Sequence, residues 1–197
     1  MQILSKPFGV YETNCFILKT DGGEFIIDPG ENSFEWIKAN VQNPIAILNT
    51  HGHFDHVWDN TKVKELFNIP IYIAKDDAFM LNGDIFGFKM PPSKADFELN
   101  ADESVNIGGI DVKFWHFPGH TPGCSVIELN GVMFSGDFVF KGSIGRVDFP
   151  YSKPEDMKKS INKFLEFTKD MDVYPGHGPK TTVNAEKQSL KSWLEYI

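Results

Sequence analysis

Cysteine is scarce in this chain, and the cysteines that are present form no motif. Of 197 residues only Cys15 and Cys124 are cysteine, and they lie far apart in the sequence. A disulfide framework or a thiolate zinc site needs several cysteines at short, regular spacings. The sequence therefore excludes both, and we expect the two thiols to be reduced and structural.

Long apolar runs are also absent. The first residues, MQILSKPFGV, lack the basic start, apolar stretch and small-residue cleavage site of a secretory leader. No stretch reaches the roughly 20 apolar residues that a membrane-spanning helix requires. These features predict a cytoplasmic protein with no membrane partner.

Basic residues are fewer than acidic ones. The chain has 19 Lys and Arg against 27 Asp and Glu, a formal net charge of −8, and no basic cluster offsets it. Such a surface repels phosphate backbones, which argues against nucleic acid as a partner. An anionic small molecule would need a local basic anchor beside its site.

What remains is the composition of an ordinary globular protein. Hydrophobic residues make up 41% of the chain and aromatic residues 14%, and most of the aromatic residues are phenylalanine. No segment resembles a linker, a repeat or a low-complexity tract. We predict a single domain over residues 1–197 with a core of large side chains.

Tight-turn sequences separate short apolar runs and predict hairpins. Ser33, Asp59 and Asn184 are predicted N-caps of helices, and Ser152 with Glu155 forms a predicted capping box. Residues 82–100 are too irregular for one element and predict a long loop. The order of strands and helices predicts an α/β fold, a four-layer sandwich of two mixed sheets flanked by helices. The predicted strands are 14–19, 24–27, 45–48, 70–74, 103–107, 111–117, 125–129, 132–135 and 171–174.

Metal-ligand residue types cluster directly after one predicted strand. His51, His53, Asp55 and His56 fall within six residues, and Gly52 relieves crowding between the first two imidazoles. Imidazole nitrogen and carboxylate oxygen suit zinc, and also iron or manganese. The segment predicts a metal site, although an isolated His-x-His pair would be weak evidence.

Three further candidate ligands also follow predicted strands. His120, Asp137 and His177 lie in glycine-bearing loops, and in α/β sheets sites gather at the carboxyl ends of strands. Each could be a solvated loop residue when taken alone. Seven ligands exceed what one tetrahedral ion needs, so the set predicts two divalent ions, with hydroxide held between them. Such a centre favours hydrolysis of a carbonyl or phosphoryl group.

This pattern resembles the metallo-β-lactamase superfamily, whose HxHxDH motif is matched at residues 51–56. The resemblance covers essentially the whole chain and implies an αββα fold with both metals at one edge of the sandwich. It implies that His51, His53 and His120 hold one ion and that Asp55, His56 and His177 hold the other, with Asp137 bridging. Asp55 would also orient the hydroxide. Zinc is the expected metal, with iron or manganese as alternatives.

Within that superfamily, the segments 142–150 and 175–179 resemble the short bacterial glyoxalase II-like hydrolases. Those proteins commonly carry Thr where this chain has Val147. The resemblance implies hydrolysis of a small thioester such as S-lactoylglutathione. The longer members have a C-terminal helical domain with basic glutathione contacts, which this sequence does not include. Arg146 is the candidate substrate anchor, and a structural salt bridge to Asp148 is its alternative role.

Other functions remain open at this level. A mononuclear-iron persulfide dioxygenase carries a similar segment around Arg146, a lactonase would use the same metal ligands, and a metal-stabilised binding domain is the non-enzyme alternative. A β-lactamase and a ribonuclease are both disfavoured, the first by Asp55 and the missing leader, the second by the acidic charge. His116 is expected to be packed, and Asp28 either supports a ligand histidine or makes a turn. The oligomeric state is not predicted.

Overall fold

The computed structural model describes residues 1–83, 86–87 and 89–197, and its fold is built on two six-stranded mixed sheets. In the first sheet the spatial order follows the chain. The β1–β2 and β2–β3 pairs are antiparallel, whereas β3 to β6 are parallel. Its strands are β1 (Gln2–Phe8), β2 (Thr13–Thr20), β3 (Gly23–Ile27), β4 (Pro44–Leu48), β5 (Ile71–Ala74) and β6 (Phe97–Leu99).

The second sheet has the strand order β14-β13-β10-β9-β8-β7, with one parallel pair, β10 and β13. A small hairpin, β11 (Val139–Phe140) and β12 (Ser143–Ile144), stands apart from it. The strands of this sheet are β7 (Ser104–Ile107), β8 (Ile110–His116), β9 (Ser125–Leu129), β10 (Val132–Gly136), β13 (Asp172–Pro175) and β14 (Thr181–Thr182).

Helices cover the outer faces of both sheets. None of the helices in the described ranges is long and apolar enough to cross a bilayer. The helices are α1 (Phe34–Asn40), α2 (Phe54–Val57), α3 (Asn60–Phe67), α4 (Pro154–Leu165) and α5 (Val183–Tyr196), and a 3-10 helix spans Lys75–Asn82.

The period-2 alternation of side chains divides the core into three clusters. On β3, Phe25 and Ile27 face the opposite sheet, while Ile26 between them faces the helices. On β10, Phe134 faces the first sheet and Met133 packs under α4 and α5. One cluster thus lies between the sheets and one lies outside each sheet. The four-layer sandwich predicted from the sequence is confirmed.

Two predicted helix N-caps are wrong, and a third, Asp59, is right in position but makes no side-chain cap. Helix α4 begins after Lys153 rather than Ser152, whose hydroxyl instead donates to the carbonyl of His120 at 2.7 Å. Helix α5 is capped by Thr182, two residues before the predicted Asn184. Asp59 precedes α3 as predicted, but its carboxylate accepts from the amide of Phe34 at 3.0 Å. The side chains of Ser152 and Asp59 thus bond to neighbouring segments instead of capping the helices predicted for them.

The predicted loop over 82–100 is also partly wrong. Its described part contains β6, which pairs in parallel with β5. Residues 84, 85 and 88 of that segment lie outside the described ranges. Ser93, in the described part of the segment, accepts a hydrogen bond from Asn60 at 3.3 Å. Asn60 also exchanges hydrogen bonds with Asn49 and so connects this segment to the end of β4.

Candidate metal centre

All seven predicted ligands lie at one edge of the sandwich, in the segments that follow strands. Four of them follow β4, where Asp55 and His56 form part of the short helix α2. His120 lies between β8 and β9, Asp137 comes directly after β10, and His177 follows β13. The rule that sites gather where strands end therefore located the cluster.

The first triad consists of His51, His53 and His120. One nitrogen from each ring lies within 4.8 Å of the others, and all three residues are buried. His53 Nδ1 and His120 Nε2 are only 2.9 Å apart. Three imidazoles converging in this way form the ligand set of a catalytic-type zinc site.

The second triad consists of Asp55, His56 and His177, whose ligand atoms also lie within 4.8 Å of one another. Asp55 Oδ2 is 3.5 Å from Nε2 of both His56 and His177. Thr13 donates to the same oxygen at 2.7 Å and so fixes the carboxylate. Sequence reasoning did not find Thr13, because nothing local marks it.

Asp137 lies between the two triads. Its Oδ2 is 3.4 Å from Nε2 of His120 and 3.4 Å from Nε2 of His177. Its Oδ1 is 3.3 Å from His56 Nε2. The carboxylate contacts members of both triads, which is the position that a bridging ligand needs.

Asp28 orients a histidine of each triad through the Nδ1 side of its ring. Its Oδ2 is 2.9 Å from His56 Nδ1 and accepts from the Thr50 hydroxyl at 2.6 Å. That hydroxyl is 3.1 Å from His51 Nδ1. Protons on these Nδ1 atoms leave Nε2 free to bind a metal. The role predicted for Asp28 as a partner of a ligand histidine is confirmed.

Backbone carbonyls hold two further rings. His120 Nδ1 donates to the carbonyl of Arg146 at 2.8 Å, and His177 Nδ1 donates to that of Tyr11 at 2.9 Å. These contacts also turn Nε2 of each ring toward the centre. By contrast, His116 Nε2 donates to the carbonyl of Pro122 at 2.8 Å, so His116 is packed elsewhere, as predicted.

Burial keeps the histidines of the first triad neutral. Desolvation holds the pKa of His51 well below its usual range and lowers that of His120. Burial together with the neighbouring His120 lowers the pKa of His53 to about 3. The neutral imidazole is the form that binds metal, so this triad is ready to accept a cation.

In the second triad, charges outweigh burial. Burial alone would lower the pKa of His177, but hydrogen bonds to Asp137 and Asp55 raise it to about 9. Burial would raise the pKa of Asp55, but His56 and His177 lower it to about 2. Protons on the two histidines thus balance the carboxylates in the metal-free chain. A cation would replace those protons.

Buried polar atoms without hydrogen-bond partners test whether the residues of the centre fit metal ions. His51 Nε2, His53 Nε2, His56 Nε2 and Asp137 Oδ1 are buried and have no hydrogen-bond partner among the described residues. An unpaired buried polar atom is costly and calls for a ligand or an ion. All four atoms belong to residues of the predicted ligand set. The nitrogen and oxygen donors therefore fit divalent metal ions.

Comparison with known proteins decides the family. The model of the metallo-β-lactamase superfamily matches residues 8–196. The chain belongs to this superfamily. The family and the centre together place the chain among the metallo-hydrolases. Members of that group are enzymes that typically bind divalent metals.

Three similar proteins carry informative names. The hydroxyacylglutathione hydrolase GloC of Haemophilus influenzae is 34% identical over 204 residues, covering 96% of each chain. The solved structure of the B3 metallo-β-lactamase BLEG-1 matches with TM-score 0.87 and 32% identity, covering 95% of this chain and 97% of that one. The structure of TTHA1623 in a di-iron-bound form matches with TM-score 0.82 and 29% identity, covering 94% and 98%.

Two glycines allow the superfamily centre to close. A Cβ on Gly176 would collide with Asp137 Oδ1 and would lie 2.7 Å from His56 Cε1. A Cβ on Gly145 would collide with the carbonyl of Asp137 and would lie 3.0 Å from His120 Nδ1. Both positions need glycine because other residues of the centre occupy that space.

Asp77 connects two ligand loops, and sequence reasoning missed it. Its carboxylate accepts from the Gly52 amide at 2.9 Å, the Thr121 hydroxyl at 2.7 Å and the Gly123 amide at 2.5 Å. Burial raises its pKa to about 6 despite these three donors. Asp77 follows β5, so the strand-end rule that found the ligands could also have found it.

A cavity of about 550 Å³ opens onto the centre and includes Arg146 in its lining. The Arg146 guanidinium forms a bidentate pair with Asp148, with distances of 2.8 and 2.7 Å. The salt bridge considered for Arg146 is therefore present, and the residue also lines the cavity beside the centre.

Proposed function

We propose that this chain is a binuclear metal-dependent hydrolase of small thioesters. The observation that carries the proposal is the position of Asp137, whose carboxylate contacts histidines of both triads at 3.3 to 3.4 Å. The first triad and the second triad would each hold one divalent ion, and Asp137 would be shared between them. Zinc is the proposed metal, because all donors are imidazole nitrogen or carboxylate oxygen.

Divalent ions held by the two triads would supply Lewis acidity and would lower the pKa of bound water, which favours hydrolysis near neutral pH. The chain's own residues supply the geometry. Asp28 and two backbone carbonyls orient the imidazoles, and Thr13 fixes Asp55. The second triad lies beside the cavity through Asp55 and His177. A substrate carbonyl in that cavity would lie against the ligands of both triads.

Thioester hydrolysis is supported by a resemblance and by a relative. The segment around Arg146 resembles glyoxalase II-like hydrolases, and the Haemophilus influenzae relative is named a hydroxyacylglutathione hydrolase. Thioester carbonyls are electrophilic and release a stable thiol, so their cleavage needs little beyond activated water and charge stabilisation. The small size of the cavity suits such a molecule better than a polymer.

Steady-state hydrolysis across three substrate classes tests the proposal. The zinc-loaded chain should hydrolyse small thioesters with a higher kcat/KM than lactones or phosphodiesters. A lactone preferred far above every thioester would overturn the thioester assignment and leave a lactonase. Oxygen uptake on glutathione persulfide by a chain with one iron would indicate the dioxygenase instead. A metal-bound chain inactive on all substrates would favour a binding domain.

A further inference from the structure

The cavity above the metal centre has two chemically different sides. One side consists of metal-ligand residues of both triads together with Asp137. The other, here called the aromatic wall, consists of Tyr11, Phe54, Phe86, Phe140 and Phe149. Ile144 adds a further apolar side chain.

The aromatic wall extends over both triads. Phe86 lies 5.1 Å from the His53 ring and 5.7 Å from the Phe149 ring, measured between ring centroids. At the other end, Phe140 lies 5.8 Å from His177. Any substrate whose carbonyl approaches the metal ligands must therefore place its neighbouring groups against aromatic rings.

Outside the metal centre, the basic side chain of the described cavity lining is already paired. Among the described lining residues Arg146 is the only Lys or Arg. Its guanidinium is engaged bidentately by Asp148 and lies 4.2 Å from the centre of the Phe149 ring. A substrate carboxylate would have to exchange one ion pair for another, with little net gain.

The other basic candidates lie outside the described lining. Lys141 and Lys180 are absent from it, and Lys180 forms an ion pair with Asp172 at 3.0 Å. The chain's net charge of −8 adds a long-range repulsion for anions. Within the described cavity lining, outside the metal centre, the two carboxylates of glutathione find no Lys or Arg side chain that is free of an ion pair.

We propose that the acyl group of the substrate is aromatic or bulky and apolar, that it packs on the aromatic wall, and that the leaving thiol need not be glutathione. This inference rests on the proposed thioester hydrolysis and narrows its substrate class. Phenyl groups against a wall of rings gain both buried apolar area and edge-to-face contacts, whereas the methyl of a lactoyl group gains little of either.

The reaction itself is ordinary hydrolysis. Water oxygen forms a bond to the acyl carbon, the carbon–sulfur bond breaks, and the sulfur leaves with the bonding pair. One proton of the water goes to the thiolate and the other to solvent, giving a carboxylate and a thiol. No oxidant, reductant or further reactant is needed.

A matched pair of substrates tests the acyl side. S-mandeloylglutathione and S-lactoylglutathione share the thiol and the α-hydroxyl and differ only in phenyl against methyl. With the zinc-loaded chain, kcat/KM should be at least about tenfold higher for the mandeloyl thioester. An equal or lower value for the mandeloyl thioester would overturn the inference.

A second matched pair tests the thiol side. The lactoyl thioesters of N-acetylcysteamine and of glutathione share the acyl group, and only the second carries carboxylates. The kcat/KM of the neutral thioester should be higher than that of the glutathione thioester or within about threefold of it, since no unpaired Lys or Arg in the described lining would bind the carboxylates. A preference of more than tenfold for the glutathione thioester would contradict the thiol part of the proposal.

A variant of the aromatic wall tests whether the acyl preference arises there. Phe149→Leu keeps an apolar side chain but removes the ring, and it should reduce the mandeloyl-to-lactoyl ratio severalfold. The ratio is measured on one preparation, so a partly unfolded variant still gives a valid result. Phe97→Leu, on exposed strand β6 away from the cavity, is the control and should keep the wild-type ratio. An unchanged ratio in Phe149→Leu would overturn the assigned acyl position.

Failure of the proposed function can be distinguished from failure of the inference about the acyl group and the thiol. If the zinc-loaded chain hydrolyses none of these thioesters, the proposed function fails and this inference fails with it. If it hydrolyses them with S-lactoylglutathione preferred, only the inference fails.

Discussion

Single carboxylates control the metal centre at the residue scale, and each acts through different partners. Asp137 contacts both triads, Asp28 holds His56 and, through Thr50, His51, and Asp77 connects two loops without touching a ligand side chain. The ligand types were predictable from the sequence because four of them fall within six residues. Asp77 was not singled out, although it follows β5 and the strand-end rule applies to it, because its three distant partners leave no local sign of its role.

Asp28→Asn tests the support behind the histidines. The carboxylate accepts from the Thr50 amide through Oδ1 and from the Thr50 hydroxyl and His56 Nδ1 through Oδ2. An Asn side chain has one accepting oxygen, so its amide N–H group must face one of these donors, and the His56 ring should be held less firmly. Metal affinity should fall about 10- to 100-fold. Competition titration with a chromophoric chelator measures it. Asp21→Asn, at an exposed turn, is the matched control, and equal affinities in the two variants would refute the role of Asp28.

Asp77→Asn tests the connection between loops. Its amide would direct an N–H group at a backbone or hydroxyl donor, so at pH 5 unfolding free energy should drop by about 1–3 kcal/mol. Urea unfolding measures this drop. Asp76→Asn is the control, because the Asp76 side chain is 62% exposed. A loss no greater than that of Asp76→Asn would argue against the role of Asp77.

The pH dependence of that difference has a definite sign. The pKa of Asp77 in the fold is about 6, above its ordinary value of 3.8, because burial disfavours the ionised form. The fold therefore favours the protonated acid, and this stabilisation is complete below about pH 4 and lost as pH rises through about 6. The advantage of the wild type over Asp77→Asn should be smaller at pH 7.5 than at pH 5. A difference that grows with pH would contradict the assignment.

At the scale of elements, strand ends and glycine loops build the site. The hairpins were predicted well because their turn sequences are local signals, for example Asn130-Gly131 between β9 and β10. The caps at Ser152 and Asn184 were not predicted correctly. The Ser152 hydroxyl bonds to the distant carbonyl of His120, which local patterns do not reveal, and α5 begins at Val183 with Thr182 as its cap. Strand β6 was missed because its three residues form a strand only through pairing with β5.

Gly176→Ala tests the close approach of the loop after β13. The new methyl group would collide with the Asp137 carboxylate and approach His56. Metal content should fall while the strands of the second sheet remain formed, as elemental analysis and circular dichroism can show. Gly109→Ala is the control. Gly109 has a positive φ of 83° and open space around it, so the substitution should lower stability but leave the metal content unchanged. Equal metal loss in both variants would contradict the packing argument.

At the scale of the whole molecule, the sandwich brings four loops from both sheets to one edge. The order of strands, hairpins and helices along the chain was sufficient to predict two sheets and their helical cover, because the apolar faces of these elements must be buried against one another. The composition of the cavity was not predictable, since Tyr11, Phe54, Phe86, Phe140 and Phe149 come from separate segments. Only the fold shows that these rings form one wall.

Metal removal should destabilise the whole chain, because its ligands come from both sheets. Saturation at about 1,000 times the dissociation constant contributes about 4 kcal/mol, which corresponds to roughly 8–16 °C in Tm for a chain of this size. Differential scanning calorimetry with and without chelator measures the shift. His116→Ala should retain it, since His116 lies outside both triads. A Tm that does not respond to chelator would contradict a metal site shared by the two sheets.

The central claim is that two ions share Asp137, and metal stoichiometry tests it most directly. Elemental analysis of the zinc-loaded wild type should give about two ions per chain. Asp137→Ala should lose metal from both sites and lose activity with it, while Asp148→Ala, at an exposed position, should retain two ions. A wild type that holds only one ion, or an Asp137→Ala variant that retains two ions with unchanged affinity, would contradict the account.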